Sequence, residues 1–168
     1  KQLRDGGHKV LVLDYSALRN STPPLDQCLY EFDPDVVGIT FLTPGIDVAN
    51  NVIDTVLEYK PSTVIMVGGP HATLYHSELK NDSRISYILV GEAQNHVLEV
   101  VNNAKVEKTG VVIECELQPI ENFPVGDFTC FYGSQDIKVY PLLTSLGCPY
   151  SCTFCVVDLI SSRKFRTR

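Results

Sequence analysis

Four short apolar segments, each containing β-branched residues, are spaced along the first ninety residues of this 168-residue chain. Because each is apolar at successive positions, the segments favour strands that are buried on both faces of a parallel sheet. Helix-like stretches separate them, which predicts right-handed crossovers between neighbouring strands. The segments are residues 9–13, 36–40, 64–67 and 87–90. The pattern therefore predicts an α/β fold with a doubly wound parallel sheet.

Three helices are predicted before, between and after these strands. Apolar residues recur on one helical face within residues 45–60, where Thr43 is the candidate cap and Pro44 the first helical residue. Residues 96–101 predict part of another helix. Residues 1–7 predict a last helical turn that ends on a double glycine. Since a doubly wound domain begins with a strand, we expect one further strand and helix, roughly 30–40 residues, upstream.

The pattern changes after residue 104, which predicts three regions. Residues 1–104 form the α/β domain. Residues 105–136 form a linker, in which the alternation of residues 105–117 predicts a β-ribbon. Residues 137–168 begin a second domain with a strand at 137–145, and they are too few to complete it. We therefore expect this chain by itself to be catalytically inactive.

Composition argues against two classes of partner. The formal net charge is −6, and the basic residues at 163–168 are interpreted as a short solvated tail, so nucleic acid is not expected to bind. No apolar run reaches the roughly 18–20 residues of a membrane helix, and the first residues do not resemble a signal peptide. With reduced cysteines, these features favour a cytoplasmic location.

Three of the six cysteines lie within eight residues, at Cys148, Cys152 and Cys155. Thiolates are soft ligands that suit iron–sulfur clusters, and three of them leave one iron of a 4Fe–4S cluster without a protein ligand. Zinc is the alternative, but it prefers four ligands, and only one Cys-x-x-Cys pair is present, with no histidine after it. The spacing therefore favours a cluster. The remaining cysteines are interpreted as packing or surface residues: Cys28, Cys115 and Cys130.

The stretch from Thr144 to Cys155 resembles the cluster loop of the radical S-adenosylmethionine family, including the aromatic Phe154 before the last cysteine. The resemblance implies that Cys148, Cys152 and Cys155 hold the cluster and that Phe154 packs near the adenine of S-adenosylmethionine. It also implies that cluster reduction, by a donor such as flavodoxin or ferredoxin, cleaves S-adenosylmethionine to a 5′-deoxyadenosyl radical. The organic substrate of that radical is not indicated.

Small and polar residues follow the predicted strands, where doubly wound sheets bind ligands. Neither a phosphate loop nor a G-x-G-x-x-G motif is present. The loops at 38–44, 68–73 and 90–93 resemble those of the Rossmann-like, cobalamin-binding domain that often precedes a radical S-adenosylmethionine barrel, although Ala93 and Gln94 depart from its pattern. The resemblance implies the following cobalamin-binding residues: Thr40, Leu42, Gly68, Gly69, His71, Gly91 and Glu92. As a cobalt ligand, His71 is less favoured than as a polar loop residue.

Two functions remain open from the sequence. The first is a cobalamin-dependent radical S-adenosylmethionine enzyme, whose members methylate unactivated carbon or phosphorus or, like the anaerobic magnesium-protoporphyrin ester cyclase, oxidise tetrapyrrole side chains. The second is a radical S-adenosylmethionine enzyme whose first domain is a cofactor-free interaction module. Uptake of cobalamin distinguishes them.

Overall fold

A computed structural model describes residues 1–15, 24–106, 109–123 and 125–168 of the chain. Its helices in these ranges are α1 (Gln2–Asp5), α2 (Leu25–Phe32), α3 (Ile46–Tyr59), α4 (Gly69–Leu79), α5 (Val97–Asn102) and α6 (Val157–Ile160). Its strands are β1 (Val36–Thr40), β2 (Val64–Gly68), β3 (Tyr87–Gly91), β4 (Val111–Cys115), β5 (Ser145–Leu146) and β6 (Arg166–Thr167). Helices and strands alternate from α2 to β4, as the apolar segments predicted.

The main sheet contains β1, β2, β3 and β4 in that order, and every neighbouring pair is parallel. Val36 of β1 pairs with Val64 of β2, and Tyr87 of β3 pairs with Val111 of β4. A separate antiparallel pair joins β5 to β6. The parallel α/β sheet predicted from the sequence is thereby confirmed.

Both faces of the sheet are covered by helices. Ile65, Val67 and Ile88 pack on one face, in a cluster that also contains core residues of α2, α3 and α4. Met66 and Leu89 belong to the cluster on the opposite face, which includes residues of α5. This division follows from the strand period of two, because successive side chains point to opposite faces. The doubly wound arrangement is confirmed on this evidence.

Helix α1 ends as its double glycine predicted. Gly7 has φ = +89°, a conformation that favours glycine. The His8 amide donates to the Leu3 carbonyl at 3.0 Å and the Gly7 amide donates to the Arg4 carbonyl at 3.0 Å, which is the Schellman pattern. In the described part of the chain, none of the helices combines the length and the hydrophobicity that crossing a bilayer requires.

The prediction of a strand at residues 9–13 is wrong. The segment contributes no strand to the main sheet, and Val12 forms only an isolated parallel bridge with Phe131. The Val12 amide donates to the Cys130 carbonyl at 2.9 Å, and the Tyr132 amide donates to the Val12 carbonyl at 2.9 Å. Its backbone is therefore paired with the segment after β4 and not with β1.

The β-ribbon predicted at residues 105–117 is also wrong. Residues 111–115 form β4, which extends the parallel sheet next to β3. Residues 107, 108 and 124 of the predicted linker lie outside the described ranges. The sheet therefore continues past residue 104, where the sequence placed the end of the domain.

Two local predictions require correction as well. Of the strand predicted at 137–145 only residue 145 lies in a strand, because β5 is Ser145–Leu146 and pairs with β6 alone. The N-cap residue of α3 is Gly45 and not Thr43, and no side chain caps the helix. Instead Thr43–Gly45 form a 3₁₀ turn with Pro44 in its first positions, and α3 begins at Ile46.

Helix α3 offers a test of the core. Val56 is fully buried, whereas Val48 on the same helix is 64% exposed. We expect Val56→Ala to lower the free energy of unfolding by about 2 kcal/mol, because buried methyl groups are lost and a cavity remains. Urea unfolding measures the change. Val48→Ala is the matched control for helix propensity, and an equal effect of the two substitutions would contradict the assigned packing.

Candidate functional site

The carboxyl ends of the four parallel strands lie along one edge of the sheet. Thr40 of β1 is paired with Gly68 of β2, and Gly91 of β3 is paired with Cys115 of β4. Ligands of doubly wound sheets bind beyond this edge. The structure therefore brings together the ends of the loops that the sequence singled out.

Gly69 stands where β2 passes directly into α4. Its φ is +85°, and a Cβ atom at this position would collide with the Thr40 hydroxyl. The sequence predicted a loop at residues 68–73, and this prediction is wrong. These residues form the end of β2 and the first turns of α4. The missing side chain of Gly69 is what allows β1 and α4 to approach each other so closely.

His71 is buried in the first turn of α4, with 5% of its surface exposed. Its ring stacks on Tyr75 at a centroid distance of 4.8 Å and lies 5.0 Å from Phe41. Its Nδ1 is 3.1 Å from the Thr43 hydroxyl. The prediction of a polar loop residue is wrong, because aromatic packing holds His71 inside the fold. These contacts describe a structural role, and direct contact with cobalamin stays a prediction.

Thr40 and Leu42 lie at the outer side of the edge. Thr40 is exposed, and 63% of the Leu42 surface is accessible. An exposed leucine at a ligand-binding edge can cover an apolar part of a ligand, and the adjacent hydroxyl can donate or accept a hydrogen bond. Both side chains are therefore accessible to a ligand at this edge.

Gly91 ends β3 with φ = +87°, and a Cβ atom there would lie 2.9 Å from the Cys115 carbonyl oxygen. Its amide donates to the Thr73 hydroxyl at 3.0 Å. Glycine is required here by both the backbone conformation and the close approach of β4. Thr73, which the sequence did not single out, thus connects α4 to the end of β3.

Glu92 follows Gly91 and is 4% exposed. Its carboxylate accepts hydrogen bonds from both terminal nitrogens of Arg166, one of them at 2.8 Å. The carboxylate raises the pKa of the Arg166 guanidinium above its usual range. Sequence reasoning missed this pair and interpreted Arg166 as part of a solvated tail. No local signal in the sequence marks this pair, because its members are 74 positions apart.

The cysteine motif lies on the connection between β5 and α6. Gly147 precedes it with φ = +79°, and a Cβ atom there would collide with the Lys164 carbonyl next to β6. Cys148 is partly buried, whereas Cys152 and Cys155 are exposed. The Cys155 amide donates to the Cys152 carbonyl at 3.1 Å, which closes a turn. The motif is therefore presented at the surface.

The donor set of this loop fits an iron–sulfur cluster better than zinc, because the thiols number three and no histidine follows them. Within the described ranges, no three His, Cys, Asp or Glu side chains are arranged as a ready metal site. The structure places the three cysteines on one loop and does not gather their sulfurs. Their assignment as cluster ligands stays a prediction.

The cysteines outside the motif have different surroundings. Cys28 and Cys115 are buried, and burial raises the pKa of both thiols. Thiols with a raised pKa are poor ligands and nucleophiles near neutral pH, because the thiolate is the reactive form. This confirms the interpretation of Cys28 and Cys115 as packing residues.

Comparison with known proteins identifies the class of the first domain. The family described as "B12 binding domain" matches residues 1–101. The chain belongs to the B12-binding domain family. The match confirms the resemblance to cobalamin-binding proteins that the loops at the sheet edge indicated.

Several curated relatives are similar to most of this chain, and they are named as methyltransferases or as a cyclase. An uncharacterized methyltransferase of Pyrococcus horikoshii is 23% identical over 95% of this chain and 39% of its own length. The anaerobic magnesium-protoporphyrin IX monomethyl ester cyclase of Rubrivivax gelatinosus is 25% identical over 91% of this chain and 32% of its own length. The bacteriochlorophyllide d C-12(1)-methyltransferase of Chlorobaculum tepidum is 25% identical over 80% of this chain and 30% of its own length. The chain therefore spans about a third of the length of these relatives.

Gly69 provides a test of the sheet edge. We expect Gly69→Ala to lower the free energy of unfolding by about 1–3 kcal/mol, because a side chain is strained at positive φ and meets Thr40. Urea unfolding checks the value. Gly38→Ala is the matched control, since a Cβ atom at Gly38 would meet nothing within 4 Å. Equal stability of the two variants would refute the close approach of β1 and α4.

Proposed function

We propose that this chain is the cobalamin-binding and cluster-loop region of a cobalamin-dependent radical S-adenosylmethionine enzyme. The observation that carries the proposal is the combination, in one chain, of a B12-binding domain at residues 1–101 and the spacing of Cys148, Cys152 and Cys155. Relatives named as methyltransferases and as a cyclase support an enzymatic role.

The three cysteines would hold the cluster. Cys152 and Cys155 are exposed, so their sulfurs can turn toward a shared ligand without a change in the buried core. Gly147 lets the chain turn at β5, because its φ of +79° is unfavourable for other residues. When bound, the cluster supplies the electron for cleavage of S-adenosylmethionine, and cobalamin supplies a methyl carrier or a redox centre.

Phe154 is the candidate adenine contact. Its side chain is 88% exposed and stands directly before Cys155. An exposed aromatic ring offers a flat apolar surface on which a purine can stack. The ring would bind and orient S-adenosylmethionine next to the cysteine that follows it.

The sheet edge would hold cobalamin through residues of three neighbouring strand ends. Gly68 and Gly69 present backbone without side chains, and Thr40 and Leu42 are exposed beside them. Such an edge allows a ligand to approach the backbone closely. Gly91 belongs to the same edge, where its positive φ lets the chain turn at the end of β3 close to β4.

The reaction belongs to one of two chemical classes, radical methylation or oxidative cyclisation of an organic substrate. Relatives of both kinds cover most of this chain. The cluster needs reduction by a one-electron donor of the flavodoxin or ferredoxin kind, and its thiolates need a reducing compartment, which favours the cytoplasm. Substrate contacts are expected outside these 168 residues.

Anaerobic reconstitution tests the two cofactors together. We expect the 168-residue chain, incubated with iron, sulfide and hydroxocobalamin and then desalted, to retain a broad iron–sulfur absorption and the sharper corrin bands. Retention of the iron–sulfur band without corrin would favour the alternative, in which the first domain is an interaction module. Loss of both would contradict the proposal.

Replacement of single cysteines tests the cluster ligands. We expect Cys148→Ser, Cys152→Ser and Cys155→Ser each to reduce the iron retained after reconstitution to near background, because each removes one thiolate ligand. Cys130→Ser is the matched control, since Cys130 is a free thiol outside the motif. Iron and acid-labile sulfide assays measure the outcome. Equal iron in the control and in a motif variant would exclude that cysteine as a ligand.

A further inference from the structure

Glu92 and Arg166, which are 74 positions apart in the sequence, form a largely buried bidentate ion pair. The Glu92 residue is 4% exposed and the Arg166 side chain 15% exposed. Paired hydrogen bonds between a guanidinium and a carboxylate are strong and fix the orientation of both groups. Removal of one partner leaves a buried charge without compensation, which is costly. The pair is therefore a directional connection between two distant parts of the chain.

The Arg166 guanidinium also contacts two further segments. One terminal nitrogen donates to the Gln118 carbonyl at 2.6 Å, and the other donates to the Ser161 carbonyl at 3.2 Å. Arg166 itself is in β6, Gln118 follows β4, and Ser161 follows α6. A single side chain thus joins Glu92 at the sheet edge to the segment after β4 and to the residue after α6.

The cysteine loop depends on the same strand. Arg166 of β6 is the pairing partner of Leu146 of β5, which stands two residues before Cys148. Gly147 lies against the Lys164 carbonyl, so the backbone next to the first cysteine is packed directly on the segment entering β6. The position of β6 therefore sets the position at which the cysteine loop begins.

We infer that Glu92 is a positioning residue for the cysteine loop, acting through Arg166 and β6, and not a contact of cobalamin. Both carboxylate oxygens of Glu92 already accept hydrogen bonds from Arg166, inside the fold. The inference deepens the proposed function and rests on it for the identity of the cluster. Glu92 transmits the geometry of the sheet edge, where cobalamin would bind, to the loop that would hold the cluster.

A double-mutant cycle with Glu92→Gln, Arg166→Gln and the double variant tests this coupling in the 168-residue chain. We expect amide hydrogen exchange in residues 144–155 and 162–168 to accelerate about tenfold or more in each single variant, with little further change in the double variant. Exchange in β2 stays as in the unmodified chain. Asp158→Asn, which breaks the exposed Arg163–Asp158 pair of the same region, is the matched control and leaves exchange unchanged.

Two cofactor readouts accompany the exchange measurement. We expect Glu92→Gln to lower the iron retained after anaerobic reconstitution severalfold and to leave the affinity for hydroxocobalamin unchanged. A marked loss of cobalamin affinity with normal exchange at residues 144–155 would overturn the inference, because Glu92 would then contact the cofactor. Uniformly faster exchange, β2 included, would also overturn it, since the pair would only stabilise the whole fold.

Cofactor retention and hydrogen exchange distinguish a failure of the proposed function from a failure of this inference. If the unmodified chain retains neither iron nor cobalamin, the proposed function fails, whereas hydrogen exchange still reports whether Glu92 and Arg166 hold the loop. Additive effects of the two single substitutions on exchange would show that the residues act independently and would overturn the inference.

Discussion

The burial of β2 on both faces is the constraint on which the rest of this structure depends. Residues 64–67 are all buried, so helices must cover the sheet on both sides. With its faces closed, the sheet leaves the edge at the carboxyl ends of its strands for a ligand. Thr40, Gly68 and Gly91 end their strands at that edge, where we propose that cobalamin binds.

Close backbone contacts shape this edge more than polar side chains do. Gly69 and Gly91 both adopt positive φ, and each stands where a side chain would collide with the neighbouring strand. His71, the most conspicuous polar residue of the region, is instead enclosed by Phe41 and Tyr75. The edge thus presents backbone and small residues, and its polar groups are largely engaged in holding the elements together.

Much of the fold was predictable because its signals are local. Buried parallel strands are apolar at successive positions, and the segments at 36–40, 64–67 and 87–90 all form strands of the sheet. The two misplaced strand predictions have one physical cause, because the pairing partner of a strand is set by tertiary contacts. Residues 9–13 are as apolar as the true strands, but among them only Val12 forms a bridge, with Phe131, and residues 111–115 join β3 in parallel.

The sequence by itself determined the α/β class, the glycines of the sheet edge and the bunching of Cys148, Cys152 and Cys155, because composition, spacing and backbone requirements are written in consecutive residues. Only the tertiary structure decided the partner of Glu92. Arg166 is 74 positions away, and nothing local to either residue indicates that the other will neutralise it. A buried charge requires a partner, but the fold alone determines which distant side chain is close enough to provide it.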